Sequence, residues 1–401
     1  MRKNKYYILH TILSLCFLNS DAVAGTVKDI IIGKVIVHPF AQDQLEVGSN
    51  IQGNKSSSSP SASGPHIRNG VRVNIANQVR IGAIWDFGAA PGGQMRLFEG
   101  AASYTGLKHF QFSVGVFNPS FGLSSMQPRG DSIFPERASV STITRGLAAG
   151  ANRQAIQALF YGSYYHLAIS GTAGTAGPGK DGNQRAIVFR SVILPIRSQS
   201  FLMHIGISGE WVFQPSHKSS MEGGVSFSDT PENGDGLKDK YIKTGNILAK
   251  SAGAFGLEGA ISWKKLLITS EYYNLIVNTK PNPTTTRQNF YGWYVTAAYT
   301  LVGKARSWKA TSASFTSPSC DQKDSLFCHG TGVIELATRF SQMDLESNDI
   351  SGGKQNIWSL NINWYPLDIL RLSLDYSHTK FYRKGTYNDF DSILSMFQVY
   401  F

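Results

Sequence analysis

The last ten residues, SILSMFQVYF (392–401), place an apolar side chain at alternate positions and stop on an aromatic. Phe401, Val399, Phe397 and Ile393 fall on one face, interrupted by Ser395, while Tyr400, Gln398, Met396 and Leu394 fall on the other. A period of two is a strand signal. A soluble domain seldom ends on such a strand without a turn or tail, so the question is which solvent its faces meet.

The opposite end reads as an export signal. Arg2, Lys3 and Lys5 precede the apolar run ILHTILSLCFL, and Ala22-Val23-Ala24 supplies small residues for cleavage near Ala24. Cys16 follows Leu15, which is too large for a lipoprotein site. The expected organisation is a signal peptide at 1–24, an N-terminal segment with the first strand and a Ser-rich loop at 25–65, and a transmembrane β-barrel at 66–401. No later window approaches the ~18–20 consecutive apolar residues of a membrane helix.

Composition points the same way. The chain has 40 Gly, 17 Tyr, 23 Phe and 7 Trp at 42% hydrophobic residues, and its apolar residues are spread at alternate positions instead of gathering in core segments. The formal net charge of +11 suits nucleic acid, anionic lipid or small anions as partners; export removes nucleic acid.

Alternation runs through most of the chain. Trp358, Leu360, Ile362 and Trp364 oppose Ser359, Asn361 and Asn363; beyond the turn at Pro366-Leu367-Asp368, Leu370, Leu372, Leu374 and Tyr376 oppose Arg371, Ser373, Asp375 and Ser377. FYGWYVTAAYTLVG (290–303) and the run from Phe201 to Phe213 repeat the pattern. Nothing helical is available to cover an apolar sheet face, so the expectation is an all-β antiparallel barrel with lipid outside and a polar lumen inside.

Strands are expected at 44–52, 67–76, 78–88, 94–104, 108–117, 153–161, 164–174, 184–196, 200–213, 254–263, 265–278, 289–303, 331–343, 356–366, 369–381 and 391–401. The number, about sixteen, is even, as a closed bacterial barrel with both ends on one side requires. Short links such as TGLKH, YGSYY, PIRSQS and WKKL fall on the periplasmic side. Longer ones at 118–152, 175–183, 214–253, 281–288, 344–355 and 382–390 fall on the other.

A terminal strand that ends on an aromatic carboxylate resembles the C-terminal signature of outer-membrane barrels. More narrowly, FGLEGAISWKKLLITSEYY, GWYVTAAYTLVG, GVIELATRFSQMDL and SLNINWYPLDILRLSLDYSHTKF resemble successive strands of the phosphate-selective porin O/P family. FEGAASYTGLKHFQFSVGVFNPSFGLSS, followed by PERA with Glu136-Arg137, is similar to that family's approach to its third loop. The likeness spans about residues 66–401. It implies a sixteen-stranded, homotrimeric outer-membrane porin, an anion channel that lets small anions such as phosphate diffuse passively, with an inward-folded third loop and no cofactor.

The third loop, 118–152, carries Arg129, Arg137 and Arg145 against Asp131 and Glu136, with Arg153 at its exit. Guanidinium groups match the geometry of oxyanions, yet the same arginines could simply pair with wall carboxylates. Adjacent Glu136 and Arg137 lean towards the structural role, which leaves Arg129 as the better pore candidate. On the strands, Arg72, Arg80, Arg190, Arg339 and Arg371 are expected to point into the lumen, sharing that face with Asp86, Glu210, Glu258, Glu335 and Asp375. Mixed signs suggest a mild preference, not a strict filter.

The resemblance carries over the family's phosphate lysines only in part. Lys309 in VGKARSWK matches one, whereas the third-loop lysine falls near Gly130 and another near Ser319; Lys304 and Arg306 keep this segment basic. Cys320 and Cys328 in CDQKDSLFC read as a disulfide in an oxidising compartment, with His329 too little to make a metal site. No Gly-x-Ser-x-Gly elbow is present, and Ser216-His217 is mere adjacency, so no enzyme is expected. A carbohydrate-preferring or general diffusion porin stays open, as does, further off, a structural or adhesin barrel. Inward stacking of Tyr164, Tyr273 and Phe117 along the third loop would favour sugar.

Overall fold

The computed structural model describes residues 29–51, 61–88, 95–150, 152–176, 182–216, 223–232, 240–280, 286–320 and 330–401. The expected signal peptide, Cys328 and His217 lie outside these residues. Sixteen long strands form one antiparallel closed sheet. In chain order they are β1 (Val35–Ile51), β2 (Ser61–Ile75), β3 (Val79–Asp86), β4 (Arg96–Tyr104), β5 (Phe110–Phe117), β6 (Arg153–Tyr161), β7 (Tyr165–Thr175) and β8 (Arg185–Arg197). There follow β9 (Phe201–Gln214), β10 (Ile247–Trp263), β11 (Leu266–Thr279), β12 (Arg287–Val302), β13 (Val333–Ser347), β14 (Ile350–Leu367), β15 (Leu370–Arg383) and β16 (Thr386–Tyr400).

Closure occurs where the chain ends. β16 pairs with β1 from Gln42↔Tyr400 to Ile51↔Asp391, and the amide and carbonyl of Phe401 exchange bonds with Ala41 at 3.0 and 3.1 Å. No long strand is left with an open edge, which hydrocarbon would not tolerate. A short strand, Ile30–Ile32, folds back on Val35–Val37 at the periplasmic rim.

Side-chain exposure follows the alternation. On β14, Trp358, Leu360, Ile362 and Trp364 are 59, 59, 49 and 43% exposed, whereas Ser359, Asn361 and Asn363 are 1, 2 and 0% exposed. The apolar face therefore looks out to lipid and the polar face into the barrel. Inside, the expected uniform polarity fails on one side: Val188, Val212, Leu275, Phe290 and Met343 face inward and are buried. They meet the third loop, as described below.

Two expected outer loops, 344–355 and 382–390, are mostly strand. β13 and β14 turn at 348–349, with Asn348 at φ 45, and β15 and β16 turn at Lys384 and Gly385, at φ 50 and 81. At 384–385 both central residues have positive φ, which suits a tight hairpin. Apolar alternation stops here because these strand ends rise above the lipid; pairing continues, helped by Lys354 and Asp344 at 2.9 Å. β10 likewise starts at Ile247, before the expected 254.

The orientation can be tested on one residue. Leu360→Arg should destabilise the folded barrel in a bilayer by about 2–4 kcal/mol, and Leu360→Phe should be close to neutral. Urea unfolding in lipid vesicles reads both; an unaffected Leu360→Arg would place this face in water.

Candidate pore constriction

The 118–152 connection turns into the lumen at Gly122, whose φ of +62 and crowded site exclude a side chain: a Cβ would lie 2.2 Å from the Tyr273 hydroxyl. Two helices follow, α1 (Leu123–Met126) and α2 (Ser139–Ala148). Val140, Ile143, Leu147 and Ala148 of α2 bury against the apolar inward side of β8–β13. Leu123, Ile133 and Phe134 pack with Leu267, Ala298 and Ala337, and with Phe315 of the 303–332 connection. Burial of this kind favours a folded-in loop over a solvated one.

Two wall carboxylates, Glu271 and Glu210, and Glu232 of the connection between β9 and β10 meet the loop's backbone donors. Glu271 accepts from the amides of Leu123 and Ser124 at 2.7 and 3.2 Å, from the Ser141 hydroxyl at 3.2 Å, and from the hydroxyls of Tyr273 and Tyr294 at 2.9 and 2.8 Å. Glu210 accepts from the Ala148 amide at 2.9 Å, and Glu232 from the Ser139 amide at 2.8 Å. The loop's middle is held by its carbonyls: Ile133 O accepts from Asn361, Asn363 and Arg371, and Glu136 O from Arg339.

The segment 303–320, on the periplasmic side by strand parity, rises into the barrel and meets the third loop. Arg306 makes a double contact with Glu335 at 2.7 Å, the Phe315 carbonyl accepts from Gln127 at 2.9 Å, and the Ser317 amide donates to Asp131 at 2.7 Å. Arg190 donates to the carbonyls of Ser312 and Ala313 while bound to Glu258. His204 accepts from the Trp308 ring N–H and donates to Glu258. Cys320 in this segment is disulfide-bonded.

The sequence-selected cations thus divide. Arg190, Arg306 and Arg339 are buried in ion pairs with Glu258, Glu335 and Glu232 at 2.8, 2.7 and 2.6 Å. Arg371 is clamped by Asn363 and the Ile133 carbonyl. Arg72 keeps partial contact with water beside Glu99 at 2.8 Å, and exposed Arg80 bonds Asn74. Lys304 is bridged through its backbone to Ser319, and Lys309 is exposed on the inserted segment. Where the family lysine was expected, a Cβ on Gly130 would lie 2.6 Å from the Tyr400 ring.

Arg129, Arg137 and Arg145 come together on the side of the loop that faces β1–β6. Arg129 lies 3.5 Å from Glu136, so it is Arg129, and not neighbouring Arg137, that the glutamate meets. Arg137 donates to the carbonyls of Ser124 and Gln127 at 3.0 and 2.9 Å; Arg145 donates to the Ser125 hydroxyl and the Asn118 amide oxygen, both at 3.2 Å. Burial, then Arg145 and Arg129, hold Arg137 well below the usual guanidinium range, while burial, Arg129 and Arg68 hold Arg145 down to about 10. Their surroundings penalise the charged form, and an anion would relieve the penalty.

Parity alone could have found Glu271, which shares the inward face of β11 with Thr269 and Tyr273; no local signal marks Glu232. Tyr273 does point inward, yet it is sealed under Phe121 with ring centroids 5.3 Å apart, and Tyr164 sits exposed on the rim. Buried Ser120 and His166 are hydrogen-bonded at 2.8 Å, but the other ring nitrogen faces the Ala310 carbonyl; no carboxylate orients it as a triad would need.

Removing the loop's main acceptor has a definite expectation. Glu271→Ala leaves several buried donors without a partner, each costing about 1–3 kcal/mol. The third loop should loosen, and single-channel records should show larger, noisier openings. Records indistinguishable from the parent would mean that packing alone holds the loop.

Comparison with known proteins agrees with this geometry. The chain is 27% identical over 318 residues to an uncharacterized protein of Caulobacter vibrioides, covering 75% of this chain and 61% of the relative's length. It is 22% identical over 311 residues to Porin O of Pseudomonas aeruginosa, covering 70% of this chain and 68% of that protein. OmpT of Vibrio cholerae has the same fold at a TM-score of 0.58 and 10% identity, covering 94% of this chain and all of that one. The model of the family described as phosphate-selective porin O and P matches residues 68–401. With its closed sixteen-stranded barrel and inserted third loop, the chain belongs to the phosphate-selective porin O and P family of bacterial outer-membrane proteins.

Proposed function

We propose that the protein is a passive diffusion channel for small anions, phosphate among them, that needs no cofactor and performs no catalysis. The observation that carries this reading is the bonding of Arg137 and Arg145. Both face the β1–β6 side of the lumen and, among the described residues, bond neutral acceptors, while Glu258 and Glu335 of the wall pair with Arg190 and Arg306. A planar guanidinium offers paired donors to an oxyanion. Phosphate, chloride and small carboxylates fit such a site; strict phosphate specificity has less support, since two of the family's three lysine places hold Gly130 and Ser319. Tyr273, sealed under Phe121, offers sugars no stacking track.

A trimer fits the outer wall. Asp43 pairs across strands with Ile67 and Val399 on the lipid-facing side, and its Oδ1 is buried without a hydrogen bond. Beside it, Leu45, Val47, Leu374, Ser395 and Phe397 line an apolar groove of about 360 Å³. A carboxylate is costly against lipid, and a neighbouring subunit would cover it. The OmpT of Vibrio cholerae has a trimer form. Light scattering in detergent should give three chain masses; a single chain mass would overturn the trimer.

Single-channel recording under a KCl gradient tests the solute class. The parent protein should show chloride preference, and millimolar phosphate should reduce the chloride current. Arg137→Gln with Arg145→Gln should weaken that block about tenfold or more, because charge-assisted bonds are worth about 1.5–3 kcal/mol. Cation preference, or block by maltose and not by phosphate, would reject the anion reading.

A further inference from the structure

His204 is a buried titratable group that the channel reading leaves unused. It faces inward from the periplasmic end of β9 and is 1% exposed. Its Nδ1 lies 3.2 Å from the Trp308 ring nitrogen, and its Nε2 lies 3.0 Å from Glu258 Oε1. An indole nitrogen can only donate, and an ionised carboxylate can only accept. The two bonds together therefore fix a neutral imidazole, with its proton on Nε2 and its lone pair on Nδ1.

A second proton can enter this ring only at Nδ1, where it would set an N–H against the N–H of Trp308. Three titratable or charged groups stand close to the ring. Glu258 of β10 favours the proton, while Arg190 of β8 and a charged His166 of β7 oppose it. On the side of the indole, the Arg197 guanidinium lies 5.6 Å from the ring centre, and exposed Lys309 follows in the chain.

The indole is the part of the inserted segment that can respond. Its backbone is held by Arg306 on Glu335, by the Arg190 bonds to the Ser312 and Ala313 carbonyls, and by the Ser317 amide on Asp131. Behind the indole stand Leu202 and Phe315 of one packed cluster, with the His204 ring 6.3 Å from that of Phe315. The wall side is filled, so a displaced indole moves towards the water path, where Arg197 offers its ring a cation.

We propose that His204 is a proton-operated latch for Trp308 at the periplasmic mouth of the barrel. The neutral imidazole holds the indole against the wall. A second proton on Nδ1 breaks that bond, and the indole swings into the mouth and narrows the ion path. The latch rests on the channel reading, though not on anion preference.

Two readouts test it on the full, folded protein. Single-channel current should fall reversibly as the pH is lowered from about 8 to about 5, the span in which imidazoles ordinarily take a second proton. In protein labelled with 5-fluorotryptophan, the fluorine resonance that Trp308→Phe removes should shift over the same span. His204→Gln keeps polar atoms at the site but cannot take the proton, so it should abolish both the fall and the shift. Heat-dependent gel mobility confirms folding; if His204→Gln does not fold, Trp308→Phe, whose ring carries no N–H, should lose the fall in current. A Trp308 resonance that ignores pH, a shift that survives in His204→Gln, a steady current while the resonance shifts, or a fall retained by Trp308→Phe would each overturn the latch. A protein that passes no ions while the resonance still shifts would instead reject the channel and keep the bond to His204 as the proton-sensitive element.

Discussion

Backbone N–H groups that leave bulk water need acceptors, and the third loop finds them in Glu210 and Glu271 on the barrel wall and in Glu232 of the connection between β9 and β10. Glu271 alone receives two amides and three hydroxyls; Glu210 and Glu232 take the amides at the two ends of α2. Without these acceptors a loop of this length would have to stay in the outer solvent, and the barrel would remain wide.

The arginines divide by their partners. Arg190, Arg306 and Arg339 are each desolvated and held by a buried glutamate. Breaking one of those pairs would strand a buried charge, which costs far more than an exposed pair is worth. Their role is to join wall, third loop and inserted periplasmic segment. Arg137 and Arg145 are different: their acceptors are neutral, and burial together with repulsion from other arginines lowers their proton affinity. The loop's packing fixes the cluster, in which Glu136 lies 3.5 Å from Arg129; on the reading proposed above, Arg137 and Arg145 are the groups left to meet an anion.

The barrel was legible because lipid imposes one rule at every strand: apolar out, closed edge. SILSMFQVYF and NIWSLNINWYP show it in full, and the observed strands follow. Legibility fades where the strands leave the lipid. The stretches 344–355 and 382–390 lose their apolar alternation yet keep their pairing, so they read as loops. It fades again inside, where Leu275 and Phe290 face a packed loop and not water. Which arginine meets which carboxylate depends on contacts between residues far apart in sequence: Arg339 and Glu232, or Glu271 and Leu123, share no local pattern. Adjacent Glu136 and Arg137 suggested a pair, but Glu136 meets Arg129 instead.

The central claim is that anions dwell at the third-loop guanidinium groups and not at the paired ones. Anomalous diffraction from crystals soaked in selenate, a heavy analogue of tetrahedral oxyanions, tests it directly. The account expects selenium density within hydrogen-bond reach of Arg137 and Arg145, on the side facing β1–β6. Density only at Arg306 or Lys309, or ordered rubidium from the same soak at the third loop with no selenate there, would contradict it.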